Sequence, residues 1–225
     1  MDLESSILFE DNHLLAVNKP AGVLVQGDQT GDPSLIDYAK AYLKVKYNKP
    51  GEAYIGLVHR LDRPVSGVTL LTKTSKALTR MNQVFADGRV TKCYWALTAE
   101  IPPAESGQLI HWLKKDQTKN RTRVYGKERH GAKRSELRYV LNKTINGKHL
   151  LEVFPKTGRP HQIRAQLAAI GCPILGDVKY GFKGKASSSI GLHARSLQFD
   201  HPVKKEPLLI EALIPLNSYW QPFAN

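Results

Sequence analysis

The sequence predicts an α+β fold: a mixed, mostly antiparallel central sheet flanked by helices and loops. Three observations predict it. Short runs of alternating apolar and polar residues, bounded by Gly, Pro, Asn and Asp, recur along the chain and read as strands. Three stretches instead repeat their apolar residues at helical spacing. Asn146-Gly147, set between two apolar runs, is a strong type I′ hairpin signal. Neither an internal repeat nor an interdomain linker shows, so residues 1–225 are expected to form one domain.

The elements follow in order. Ile7 to Glu10, the turn Asp11-Asn12 and Leu14 to Asn18 read as strand, turn, strand. Lys19-Pro20-Ala21-Gly22 breaks the pattern, and Val23 to Val25 resumes extended. Asp32 is a candidate helix cap with Pro33 at the first helical position; Leu35, Ile36, Ala39, Tyr42 and Leu43 then share one face. Tyr54 to Val58 and Val68 to Thr72 read as strands on either side of Pro64 and Gly67. Thr74 or Ser75 caps a second helix with the stripe Ala77, Leu78, Met81, Val84 and Phe85. Val90 to Thr98 reads as a strand with Cys93, Trp95 and Leu97 on a core face and Lys92, Tyr94 and Ala96 on the other. Glu136 to Asn142 and His149 to Phe154 flank the hairpin turn. Pro160 suits the first turn of a third helix carrying Ile163, Leu167 and Ile170, which Gly171 and Pro173 end. Gly176 to Gly181 is turn-rich and Gly184 to Ser189 is flexible by composition. Gly191 to Phe199 and Leu208 to Ala212 read as the last strands.

Composition narrows the function classes. Lys plus Arg number 33 against 20 Asp plus Glu, a net charge of +13, which favours polyanionic partners. The stretch Lys114 to Arg138 concentrates this charge, with ten cations against three acids, and reads as a loop or mobile hairpin suited to tracking phosphates. The two cysteines, Cys93 and Cys172, are expected to be buried thiols. The histidines show no paired metal spacing, and neither a P-loop nor a dinucleotide fingerprint occurs. Met1-Asp2-Leu3-Glu4 is not the start of a signal peptide, and no run is long enough to span a bilayer. A reducing, cytoplasmic location and a monomer are expected.

The stretch Val58 to Gly67 carries the chemistry. Asp62 stands between Arg60 and Arg63 at the end of a strand, where scaffolds present reactive groups. The flanking cations favour the carboxylate form, which suits a nucleophile and not a general acid. If strand alternation ran on to Asp62, Arg60 and Asp62 would share a face. A solvated ion pair is the plain alternative for the stretch taken alone. Arg164 adjoins the apolar stripe of the third helix, so it is expected to point inward and to need a carboxylate partner, or else to snorkel. Tyr94 beside Lys92 is either a stacking platform with a phosphate contact or a half-buried tyrosine beside an exposed lysine.

Together these motifs resemble the RluA family of pseudouridine synthases. The residues that carry the resemblance are Asn18-Lys19-Pro20-Ala21-Gly22, His59 to Gly67, Lys92 to Ala96, Thr157 to Arg164, Gly171 to Asp177, and Leu192-His193-Ala194 with His201-Pro202. They run in family order over almost the whole chain. Val65, Thr69 and the pair Ala165-Gln166 depart from the family pattern. The catalytic pattern begins within the first twenty residues, so no N-terminal S4 domain is expected.

The resemblance implies the pseudouridine synthase catalytic fold, with an active-site cleft across the sheet, and isomerisation of a uridine in ribosomal or transfer RNA. It implies Asp62 as the nucleophile, Arg164 as its guanidinium partner, Tyr94 stacked on the target base and Ile163 packed on the base's other side. Arg60 is the residue implied to fill the gap left by the flipped uridine, with Lys19 and Lys92 contacting the RNA backbone. No metal, nucleotide or redox cofactor is implied. Two readings from other classes remain open at this point. One is a catalytically silent RNA-binding or RNA-chaperone protein of the same fold. The other is a two-carboxylate glycosidase, for which Asp177 is the only matched acid, although a loop role suits it better.

Overall fold

The computed structural model describes residues 1–224. The chain forms two compact units. The first comprises Met1–Lys92 and Ala194–Ile214, the second Cys93–His193 and the residues from Pro215 on. The chain passes between them inside β-strands at 92/93 and 193/194, and in the segment after the last strand at 214/215.

In the first unit, β1 (Ile7–Glu10) pairs antiparallel with β2 (Leu14–Lys19), and β2 with β4 (Ser66–Thr72). β3 (Gly56–Leu57) also pairs with β4. The unit's sheet continues from β4 to β10 (Leu192–Asp200), which pairs with β11 (Pro207–Glu211). Helices α1 (Leu35–Lys46) and α2 (Ser75–Ala86) complete it.

Side-chain alternation explains why β2 and β4 are buried almost throughout. Leu14, Ala16, Val68 and Leu70 point to one face, where Met81 and Val84 of α2 and Phe199 of β10 pack. Leu15, Val17 and Leu71 point to the other, against Leu35 and Ala39 of α1. Strands covered by a helix on each face read as near-continuous apolar runs. Each such leucine truncated to alanine would cost about 2–5 kcal/mol.

The second unit is an antiparallel sheet in the order β5 (Thr91–Thr98), β9 (Lys148–Pro155), β8 (Lys133–Ile145), β6 (Ser106–Asp116), β7 (Arg121–Tyr125). Helix α3 (Gln162–Ala169) packs on it. Asn146 and Gly147 both have positive φ, 51° and 69°, as a type I′ hairpin requires. Gln166 fastens α3 to the sheet: its buried Nε2 donates to the Leu109 carbonyl at 3.2 Å and lies 3.1 Å from His111 Nδ1.

One sequence expectation is narrowed and three change. Of the loop or hairpin expected over residues 114–138, the hairpin is found, as β6 and β7, within a three-stranded antiparallel ladder with β8, because Thr122, Ser135 and Leu137 are buried while Arg121, Arg123, Lys133, Arg134 and Arg138 are exposed. Helix α1 is capped by Ser34, not Asp32: Ser34 and Asp37 form a reciprocal capping box, and Asp32 pairs with Arg63 instead. The strand expected over Tyr54 to Val58 shrinks to Gly56–Leu57. Cys172 is buried, but Cys93 is only half-buried. Among the described residues no helix is long and apolar enough to cross a membrane.

Candidate active site

In the first unit, residues 58–65 form an irregular connection between β3 and β4, so alternation does not carry to Asp62. The Asp62 carbonyl accepts the Val65 amide at 3.0 Å, closing a turn around Arg63 and Pro64. Asp62 itself is half-buried. The turn is tied to the Lys19–Gly22 segment from several sides. Gly22 donates its amide to the Arg63 carbonyl at 2.8 Å, and Arg63 Nε returns a bond to the Gly22 carbonyl at 2.9 Å. Arg63 Nη2 reaches Asp32 at 2.6 Å. The second flanking arginine is therefore committed to holding the turn.

Lys19 lies beneath this turn. It is completely buried, and its Nζ donates to the carbonyls of Val23 at 2.8 Å, Pro20 at 2.9 Å and Arg63 at 3.3 Å. An ammonium has three donors, and all three are used. Burial pushes its pKa down to about 7; the nearby charge of Asp62 acts against this and that of Arg63 adds to it. The expected phosphate contact by Lys19 is corrected accordingly, because no part of it is exposed. Lys19 braces the Asp62 turn.

Gly67, the second residue of β4, has φ +114°, and a Cβ there would run into the backbone of Ala194 on β10. The glycine of this motif therefore sets how closely two strands approach directly behind the Asp62 turn. His59 stacks on Phe85 with ring centroids 5.3 Å apart, and its Nε2 accepts the Leu70 amide at 3.0 Å. Burial first, then the charge of Lys92, push its pKa down to about 4, so the ring is neutral. Lys92 is half-buried, and burial lowers its pKa. Arg60 is exposed and makes no hydrogen bond or ion pair with any described residue.

In the second unit, Ile163 and Arg164 sit in the first turn of α3, both buried. Asp177 grips Arg164 in a fork, Oδ2 to Nε at 2.6 Å and Oδ1 to Nη2 at 2.9 Å. Bidentate pairs of this kind fix the guanidinium plane. The Tyr180 ring lies under the fork, its centre 5.1 Å from Arg164 Cζ. Tyr180 accepts the Thr122 amide at 2.7 Å, and its hydroxyl lies 2.8 Å from His161 Nδ1. His161 begins the helix in a left-handed conformation without capping it. Gln162 instead ties the preceding loop to the helix, its Oε1 accepting from Arg159 N at 3.0 Å and Thr157 Oγ1 at 2.7 Å. Tyr94 is half-buried on β5, opposite Val153 of β9.

Sequence reasoning asked for a carboxylate beside Arg164 and missed that Asp177 supplies it. The signal was present, because Asp177 is the first acid after Arg164 in the chain. Among the described residues no group of three or more His, Cys, Asp or Glu is placed to hold a metal ion.

Comparison with known proteins supplies the family. The sequence pattern of RNA pseudouridylate synthases matches residues 13–169. Ribosomal large subunit pseudouridine synthase C of Buchnera aphidicola (from Schizaphis graminum) is 34% identical over 232 residues, covering 100% of this chain and 71% of that protein. An uncharacterised RNA pseudouridine synthase of Zymomonas mobilis is 33% identical, covering 95% of both chains. The solved structure of human RNA pseudouridylate synthase domain containing 4 superposes with a TM-score of 0.79 at 25% identity, over 95% of this chain and 90% of that one. The chain thus belongs to the RNA pseudouridylate synthases, isomerases that convert uridine to pseudouridine.

Proposed function

We propose that the chain modifies a uridine of large-subunit ribosomal RNA, with Asp62 as the nucleophile. The substrate class is supported by the names of relatives such as the Buchnera protein, aligned over the whole length of this chain. The observation that carries the role of Asp62 is its bracing: a half-buried carboxylate on a turn held by a fully buried lysine and by reciprocal bonds between Arg63 and Gly22. A surface carboxylate without a task needs no such support.

The reaction is balanced without an added reagent. The N1–C1′ bond breaks, the uracil turns, and a C5–C1′ bond forms; C5 loses a proton and N1 gains one. The carboxylate of Asp62 serves the covalent step. Arg164, its plane fixed by Asp177, is the guanidinium that the family resemblance assigns as the partner of the nucleophile. Tyr94 stacks on the extruded uracil with Ile163 against the other side, and exposed Arg60 enters the gap in the RNA. Extrusion costs a few kcal/mol, which such an insertion offsets.

The test is tritium release from ribosomal RNA labelled at uridine C5. Asp62→Asn is expected to lower release by at least about a thousandfold, since removing a covalent nucleophile costs on the order of 4 kcal/mol or more of barrier. RNA affinity is expected to change less than threefold. A folded Asp62→Asn protein with near-normal release would remove Asp62 from the role.

A further inference from the structure

The basic strands of the second unit build a groove that the catalytic assignment leaves unused. β7 is the edge strand of its sheet, and α3 lies alongside it. Between them runs a groove of about 610 Å³. Its rim carries Lys119, Arg121, Arg123 and Arg129, against a single acid, Asp116. Asp116 is paired to Arg123 at 3.1 Å, so it offsets only one of the four cations. The wall on the α3 side is formed by Ala165, Ala168 and Ala169, whose short side chains let a polymer backbone come close.

We propose that this groove binds the phosphate backbone of the RNA substrate at nucleotides away from the reacting uridine. The assignment rests on the proposed function for the identity of the polymer as RNA, and four observations favour it. Arg121 and Arg123 alternate onto the same face of β7, about 7 Å apart by strand geometry, close to the spacing of neighbouring phosphates on an extended strand. Three of the four cations are arginines, whose planar forks fit phosphate. Two of them already lie on tyrosine rings, Arg129 at 4.8 Å from the Tyr125 centroid and Arg121 at 5.3 Å from that of Tyr180, so planar groups for stacking stand beside the charges. The strand edge itself is poorly suited to a pairing peptide: β7 has five residues, two exposed arginines, and the Thr122 amide is already taken by Tyr180.

The groove also adjoins the residue implied in catalysis. The Tyr180 ring that carries Arg121 carries Arg164, at 5.1 Å. RNA held on the rim is thereby led toward the Arg164–Asp177 pair.

The experiment measures binding of the full chain to a large-subunit ribosomal RNA transcript over a range of salt. The variant is Arg121→Gln/Arg123→Gln/Arg129→Gln, three exposed residues, with thermal unfolding as the check on folding. At physiological salt the dissociation constant is expected to rise about 10- to 100-fold, and the slope of log affinity against log salt to fall by about 2 to 3. A control, Lys44→Gln/Lys49→Gln/Lys76→Gln, removes the same charge from elsewhere on the surface and is expected to change affinity less than threefold. A slope change below one, or equal losses in both variants, would overturn the groove. So would displacement of the RNA by polyglutamate at equal charge as readily as by RNA, which would point to an acidic protein. Binding is read without turnover: if the unaltered chain released no tritium from any RNA, the proposed function would fail while the salt slope still judged the groove.

Discussion

Lys19 and Arg164 are both cations withdrawn from water, one in each unit, 0% and 5% exposed. Lys19 faces three carbonyl oxygens, which are neutral dipoles. Arg164 faces a carboxylate in a bidentate fork. The lysine's pKa falls to about 7, so its burial is relieved by losing a proton. An arginine has no such escape, because it is not deprotonated in proteins. Burial of a group that can shed its charge needs only acceptors, while burial of one that cannot needs a counter-ion.

The largest effect is therefore expected where the counter-ion is removed. Asp177→Asn keeps the shape of the fork and removes the bidentate carboxylate from a buried guanidinium. Unfolding in urea should show a loss of about 3–5 kcal/mol. A loss below about 1 kcal/mol would mean that the Arg164 charge is balanced elsewhere and would break the contrast with Lys19.

The counterpart in the first unit is Lys19→Met, which fills the space and leaves three carbonyls unpaired. A loss on the order of 2 kcal/mol is expected near pH 6. The sign of its pH dependence is fixed by the pKa. Between about 7 and the ordinary 10.5, the unfolded chain holds a proton on Lys19 that the folded chain has released. The unaltered protein thus gains stability from this residue as pH rises through that window, and Lys19→Met does not. The gap between the two should widen from pH 7 to pH 10; a constant gap would show that the carbonyls hold the proton on.

How far this contrast was legible in the sequence differs between the units. The strands β2 and β4, the helix stripes of Ala39 and Met81, and the Asn146-Gly147 hairpin were legible from apolar runs, helical spacing and turn chemistry, and the structure agrees with them. The inward turn of Arg164 and its need for a carboxylate were also readable. The brace by Lys19 was not: a lysine in a turn-forming segment reads as exposed, and only the fold of the 58–65 connection over it removes it from water. At 114–138 the reading stopped at a loop or a hairpin for a similar reason. On β7 only Thr122 is buried, and one buried residue between two exposed arginines is too weak a period to see. Chain-local patterns record which face is apolar; they do not record which distant loop will cover a charge.

A smaller effect tests the same rule on a group with a milder charge cost. His59 is neutral because burial, with help from Lys92, pushes its pKa to about 4. Between the ordinary value of 6.5 and 4, the unfolded chain binds a proton that the folded chain does not, so stability falls as pH drops through that range. His59→Gln should lose stability at neutral pH, with the Leu70 amide poorly served, but should show a shallower decline from pH 6.5 to pH 4. Equal declines in the two proteins would place the titration on another group.

The smallest effect on stability is expected at Arg60, the candidate-site cation that is exposed and has no bond to any described residue. Arg60→Ala should shift unfolding by no more than about 0.5 kcal/mol. Its consequence lies in RNA. If its flat guanidinium enters the stack, a 2-aminopurine beside the target uridine should brighten when the unaltered protein binds and stay quenched with Arg60→Ala. Arg60→Lys separates charge from shape, because lysine keeps the phosphate attraction but has no plane to stack. It should retain affinity within about threefold and still fail to brighten the probe. A lysine variant that flips the base as well as arginine would reduce Arg60 to a point charge, and the distinction between cations that brace the fold and a cation that works on the substrate would then rest on exposure alone.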